Sequence, residues 1–171
     1  MMAMSAEFEA LRTAGLLEAG VLAVGLERGW ASADDVAAFA VEQLAVGADR
    51  ADVVELATAE ELDTATIVDL LRQWAGEEKL ASMSSTEAIR RWMFGHLKAI
   101  AESDASPDAK LDRLEEAYGT LDYPEEMREC SRYYVPAADR ARGIRVGEVT
   151  ASPLDAMEDL LLRLGKEFRV L

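Results

Sequence analysis

Three kinds of residue in this chain could do chemistry: one histidine (His96), one cysteine (Cys130), and an excess of carboxylates, 33 Asp and Glu against 18 Lys and Arg. His96 falls on an apolar stripe formed by Ile89, Trp92, Met93, Leu97 and Ile100. A histidine works as a base or metal ligand with companions, and no second histidine or nearby cysteine stands beside it in sequence. It reads as a histidine of the core or its rim, with a carboxylate–histidine hydrolase around it as the enzymatic alternative. Cys130 has no nucleophile motif around it, and Glu129 beside it raises the thiol pKa. Adjacent carboxylates recur at Asp34-Asp35, Glu60-Glu61, Glu77-Glu78, Glu115-Glu116 and Glu125-Glu126. Acid–base catalysis needs two carboxyl groups converging from different elements, whereas neighbours on a helix point about 100° apart. These pairs read as solvated faces. The glycines at 15, 20, 25 and 29 match neither phosphate-binding loop pattern. No cofactor and no metal is expected from these patterns.

The other polar cluster is basic. From Ser131 to Gly147 stand Arg132, Arg140, Arg142 and Arg145 against one acid, Asp139. Guanidinium groups so placed suit an anion or an acidic partner, or the protein's own acidic surface. The segment follows Leu114–Pro136, LEEAYGTLDYPEEMRECSRYYVP, which holds Tyr118, Tyr123, Tyr133, Tyr134 and Cys130. The candidate contact residues are Tyr123, Glu125, Glu126, Tyr133, Tyr134, Arg140, Arg142 and Arg145.

Charge narrows the partner. The net is −15, and residues 1–86 carry 16 acids against 5 Lys and Arg, a net of −11. A nucleic-acid backbone or an anionic bilayer repels such a surface. It serves solubility, and it attracts a basic protein. A single cysteine suits a reducing compartment, so the expected location is the cytoplasm. The start of the chain, with Glu7 and Glu9 before its first base Arg12, does not read as a secretory signal, and the apolar run Ala19–Leu26 is too short to span a membrane. Met1, Met2 and Met4 leave the start codon open.

The elements that must position these residues are helical. The chain is rich in Ala, Leu and Glu, with four prolines. Ser5–Arg28 predicts one helix packed close to a neighbour or two short ones, interrupted by Gly15, Gly20 and Gly25 and stopped at Gly29-Trp30. Ser32 caps a helix that Gly47 ends. Asp49 is the expected cap of a short helix through Ala57, and Thr64 of one ending at Gly76. Ile67, Leu70, Leu71 and Trp74 share a face of the latter. The polar segment Lys79–Ser85 precedes the stripe around His96, from which Arg90, Arg91, Lys98 and Glu102 face away. Ser106-Pro107 opens a helix with Leu111, Leu114, Tyr118 and Leu121 inward. Pro124 starts a short charged helix through about Arg132, capped by Asp122 or Tyr123. Residues 137–151 read as an irregular basic loop. Ser152-Pro153-Leu154-Asp155 begins the last helix, with Leu154, Met157, Leu161, Leu164 and Phe168 inward. The expected fold is all-α: a single domain over residues 1–171, with six to eight helices packed as helical hairpins. Its core is built from the stripes at 67–74, 89–100, 111–121 and 154–168.

Two stretches resemble a known family. Glu115–Leu121, Asp122–Glu125 and Tyr133–Pro136 are similar to the signature region of the bacterial domain-of-unknown-function 2247 family: an acidic-aromatic helix end, Asp-Tyr-Pro-Glu, and an aromatic-proline exit. GWASADDVAAFAVEQLAVGADRADVVELA, with Trp30 before a capped helix, resembles the family's N-terminal half. The resemblance implies a helical protein and brings no catalytic residues. Family members resemble small cytoplasmic proteins found beside bacterial toxin genes, which implies an immunity- or antitoxin-like role. The expected function is a protein-binding module that masks a basic partner, with a homo-oligomeric scaffold, such as a homodimer, as the alternative.

Overall fold

Serine opens helix after helix in this chain. Ser5 Oγ accepts from Phe8 N at 3.1 Å, Ser32 Oγ from Asp35 N at 3.2 Å, Ser106 Oγ from Ala109 N at 3.3 Å and Ser152 Oγ from Asp155 N at 3.4 Å. Each bond satisfies a backbone donor left open at a helix start. At Ser32 the bond is returned, Asp35 Oδ2 accepting from Ser32 N at 2.9 Å, which completes a capping box. A computed structural model describes residues 4–77, 85–149 and 151–170. The helices are α1 (Ala6–Thr13), α2 (Ala19–Glu27), α3 (Ala33–Ala45), α4 (Ala51–Leu56), α5 (Thr64–Glu77), α6 (Ser85–Glu102), α7 (Pro107–Thr120), α8 (Ala137–Ala141) and α9 (Pro153–Glu167). Short 3₁₀ turns occupy Ala59–Glu61 and Glu125–Cys130. The protein is all-helical, with no strand among the described residues and seven helices of seven or more residues. Met1, Met2 and all but the last residue of the polar segment Lys79–Ser85 lie outside the described residues.

The chain groups into two compact units, Met1–Gly95 and His96–Leu171, divided inside α6. No linker-like composition marks that division. The first unit is built around α2. Ala19, Val21, Leu22, Ala23, Val24 and Gly25 are all buried, so this helix is apolar on every side and needs neighbours all round. It packs on α5, which also meets α4, and α3 packs on α4. Phe39 of α3 stacks on Trp74 of α5 at 5.5 Å between ring centroids. The two-helix reading of Ser5–Arg28 holds, and Gly25 supplies close packing as well. A Cβ placed there would lie 2.3 Å from Cζ2 of Trp92. Trp92 on α6 is fully buried, and its Nε1 donates to Val21 O at 2.8 Å. Gly95, one turn on, lets α6 approach α1, where a Cβ would meet Glu7 O and Leu11 Cγ at 3.0 Å.

Local details differ from expectation. Arg91 does not face away. Its side chain is 13% exposed, Nη1 donates to Leu16 O at 3.1 Å, and Glu18 and Glu87 pair with it at 3.2 and 3.1 Å. The long aliphatic stem lets a charged head reach the α1–α2 connection, which periodicity does not register. Phe94 is buried although it lies off the predicted stripe. Asp63, not Thr64, caps α5, accepting from Thr66 N at 3.0 Å.

Asp49 is not the cap of α4 either. Arg50 takes that position without a side-chain capping bond to the helix backbone, and Asp52 in the first turn holds the helix start. Asp52 is buried, receives Arg50 Nε at 3.0 Å and Nη2 at 2.6 Å, and accepts from Val53 N at 2.9 Å. The Arg50 hydrogen bonds, aided by its charge, hold the Asp52 pKa below the ordinary aspartate value against the opposing effect of burial. A lowered folded pKa adds stability that is full above the unfolded value of about 4 and is lost as pH falls from there through the lower folded value. Asp52→Asn is therefore expected to cost about 1–3 kcal/mol near neutral pH. Its gap from wild type should narrow progressively as pH falls below about 4 in urea titrations read across pH. A gap that does not narrow on acidification overturns the assignment.

Candidate interaction site

The second unit organises the candidate residues around the end of α7. Leu114, Ala117 and Leu121 are buried, Tyr118 is half-buried, and Leu111 one turn earlier is also half-buried. After α7 the chain turns through two left-handed residues, Asp122 (φ 63°) and Tyr123 (φ 54°). Aspartate tolerates this region, whereas a tyrosine there costs about 1–2 kcal/mol. Tyr123 N donates to Tyr118 O at 2.9 Å, and the two tyrosine rings meet edge-on at 5.1 Å. Asp122 and Tyr123 thus close α7 and cap no further helix. The short charged helix expected through about Arg132 is a 3₁₀ helix, Glu125–Cys130. A period of three aligns Met127 and Cys130 on one line, and both are buried against α9 and α7.

The exit from that turn is pinned to α7 by carboxylates. Glu115 accepts from Ser131 Oγ at 3.0 Å and from Arg132 N at 3.2 Å, and Asp112 accepts from Arg132 Nη2 at 2.6 Å. Ser131 Oγ also accepts from Tyr133 N at 3.2 Å. The Glu115-Glu116 pair is therefore divided: Glu116 is solvated as expected, while Glu115 is a structural clasp. The sequence hides this because its donors lie 16 and 17 residues away.

Beside this clasp lies a cavity of about 260 Å3. Leu111 of α7, Tyr134 and Pro136 of the exit, Gly147 and Val149, and Ala151, Pro153 and Ala156 at the start of α9 line it, together with Glu129, Ser131 and Arg132. Of the eight candidate contact residues only Tyr134 is in this wall. Its ring carries the Arg128 guanidinium at 5.1 Å, a cation–π contact. Tyr123 and Tyr133 are exposed, at 64% and 63%. Glu125 pairs with Arg128, and Glu126 is exposed. Arg140, Arg142 and Arg145 are exposed on the segment between Pro136 and Gly147. That segment is not irregular throughout, because α8 occupies its first five residues. Periodicity over five residues is too short to be read, and Pro136 ahead of it is the available signal. Leu111, Val149, Pro153 and Ala156 were not expected at a site. Each is an ordinary apolar residue, and only the approach of α9 to the exit brings them together.

His96, on α6, is half-buried and is not among the cavity's lining residues. Among the described residues no group of three His, Cys, Asp or Glu could hold a metal ion. Cys130 is 2% exposed, and burial, with a smaller contribution from Glu129, pushes its thiol pKa up to about 11. Thiolate is then scarce at neutral pH. The aromatic disulfide reagent DTNB should leave the native thiol unmodified for hours at pH 8 and label it at the rate of unfolding in urea. Rapid labelling of native protein overturns this reading.

The arrangement of α7, the left-handed turn and the aromatic-proline exit lies within a family pattern. The family model described as an uncharacterized protein conserved in bacteria (DUF2247) matches residues 8–162. The chain belongs to this family. The match extends beyond Gly29–Pro136 on both sides, so it includes most of α1, all of α2, the basic segment and most of α9. No curated protein matches the chain, and no solved structure does. No helix among the described residues is long and apolar enough to cross a membrane.

Proposed function

We propose that this member of the DUF2247 family acts by binding a basic protein through the Met1–Gly95 unit, in an immunity- or antitoxin-like role in the cytoplasm. One observation carries the reading. Between Arg50 and Arg72 there is no Lys or Arg, and Glu55, Glu60, Glu61, Asp63 and Asp69 are all solvent-accessible there. Arg50 is committed to Asp52, and Arg72 to Glu27 at 2.7 Å. Val46 and Val54, 79% and 55% exposed, supply apolar area in the same part of the chain. Carboxylates without counter-charges steer a basic partner, and exposed apolar area gives it something to bury.

The test is co-expression of the tagged chain with the product of the gene next to its own. The expected result is a complex of defined stoichiometry that weakens with added salt. Glu60→Lys with Glu61→Lys should lower its affinity about tenfold or more without changing the circular dichroism spectrum. A chain that stays monomeric and retains no partner overturns the proposal. A homodimer that is indifferent to salt and to the charge reversal overturns it in favour of a scaffold.

A further inference from the structure

The cavity of the His96–Leu171 unit shares no residue with the acidic face of the first unit and is carried by different observations. Six largely apolar side chains line it: Leu111 of α7, Tyr134 and Pro136 of the exit, Val149, and Pro153 and Ala156 of α9. All six are half-buried, so the packing of this unit leaves apolar surface uncovered in one concave place. Apolar surface gathered in a concavity marks a ligand site, because covering it is a main source of binding free energy. At about 260 Å3 the cavity exceeds the roughly 150 Å3 that admits benzene in an engineered core, and it lies below the roughly 300–1,000 Å3 of most small-molecule pockets. It has room for one ring or two fused rings.

The polar side chains of the wall are mostly engaged already. Ser131 Oγ donates to Glu115 at 3.0 Å and accepts from Tyr133 N at 3.2 Å. Arg132 Nη2 donates to Asp112 at 2.6 Å, and Arg132 Nε is buried out of reach. Glu129 is the wall's carboxylate, and it is exposed to solvent. The charges around the cavity carry both signs. Asp112, Glu129, Glu148 and Asp155 stand in the wall or one residue from it, as do Lys110, Arg128 and Arg132, with Arg145 one residue further. A charged ligand would give up hydration against apolar walls in return for at most an exposed, screened ion pair. A neutral ligand gives up little and gains the same apolar contact. We infer that the cavity is a binding site for a small neutral molecule of one or two rings, aromatic or alicyclic, held by apolar contact. Tyr134, Pro136 and Pro153 are rigid side chains, so the site is largely formed before its ligand arrives. It goes beyond the acidic-face proposal and does not depend on it.

The experiment uses the full chain, isotope-labelled for NMR and titrated with indole, benzyl alcohol, benzoate and benzylammonium. Indole and benzyl alcohol should shift amide signals saturably at millimolar concentration or below. In the wild-type chain, filtered NOE spectra should connect indole to the methyl groups of Leu111, Val149 and Ala156. Benzoate and benzylammonium should each bind about tenfold or more weakly than benzyl alcohol. Ala156→Leu, which fills the cavity, should lower indole affinity about tenfold or more, and a thermal melt shows whether that variant folds. The NOE contacts need no variant, so they decide the matter if Ala156→Leu does not fold. Glu60→Lys with Glu61→Lys should leave indole affinity unchanged, so the two proposals fail separately. Absence of saturable binding overturns the inference. So do NOE contacts confined to other residues, or a charged ring compound that binds as tightly as benzyl alcohol. Self-association that Ala156→Leu abolishes overturns it too, by assigning the cavity to a second copy of the chain.

Discussion

Replacing Trp92 with Ala is expected to destabilise the protein by about 3–5 kcal/mol, the largest loss of any single side chain here. Trp92 is fully buried and is the largest such side chain among the described residues. It meets Trp30 at 6.1 Å between ring centroids, lies against Gly25, and donates to Val21 O at 2.8 Å. Truncation removes the dispersion contacts, opens a cavity between α6 and α2, and leaves Val21 O without its side-chain donor. In urea the midpoint should fall sharply at unchanged slope, and the thermal midpoint should drop by on the order of 10 °C. A loss below about 1 kcal/mol would mean that this joint is not a centre of the first unit's core.

Replacing Gly25 with Ala should also destabilise, although alanine is the better helix former by about 1 kcal/mol. The added Cβ would sit 2.3 Å from Cζ2, 2.6 Å from Cε2 and 2.8 Å from Nε1 of Trp92, all atoms of a rigid ring. The helices must part or the ring must leave its well, at a typical overpacking cost of about 1–3 kcal/mol. A double-mutant cycle isolates the cause. In Trp92→Phe the indole atoms that the methyl would meet are gone, so Gly25→Ala there should be neutral or stabilising. The coupling between the two changes should be about 1–3 kcal/mol. If Gly25→Ala costs the same in both backgrounds, the clash with Trp92 is not its cause.

These two residues show where reading from sequence stops. Trp92 is legible as a core residue, because its stripe repeats at helical spacing. Gly25 is legible only as an interruption. Its role depends on α6, which begins 60 residues later. The same holds at the second site. The turn at Asp122-Tyr123-Pro124 and the aromatic exit stand out in composition, and they lie within the residues that the family model matches. The cavity does not stand out, because Leu111, Val149 and Ala156 take part in it through tertiary approach alone. Glu115 reads as one of many surface acids until Ser131 and Arg132 fold back on it.

The features legible along the chain are local. Serine caps, proline at first helical positions and left-handed glycines such as Gly29 (φ 73°) and Gly47 (φ 98°) mark helix limits through bonds within a few residues. The apolar period fixed which faces are buried, and the excess of carboxylates fixed the chain's net charge. Tertiary structure decided which of those charges are spent. Asp112, Glu115 and Glu18 meet cations or backbone donors of distant residues, while Glu55, Glu60, Glu61 and Asp69 stay in water. It also decided where one buried donor, Arg132 Nε, goes without an acceptor. A charge's partners depend on distances set by other elements, and no spacing along the chain encodes them.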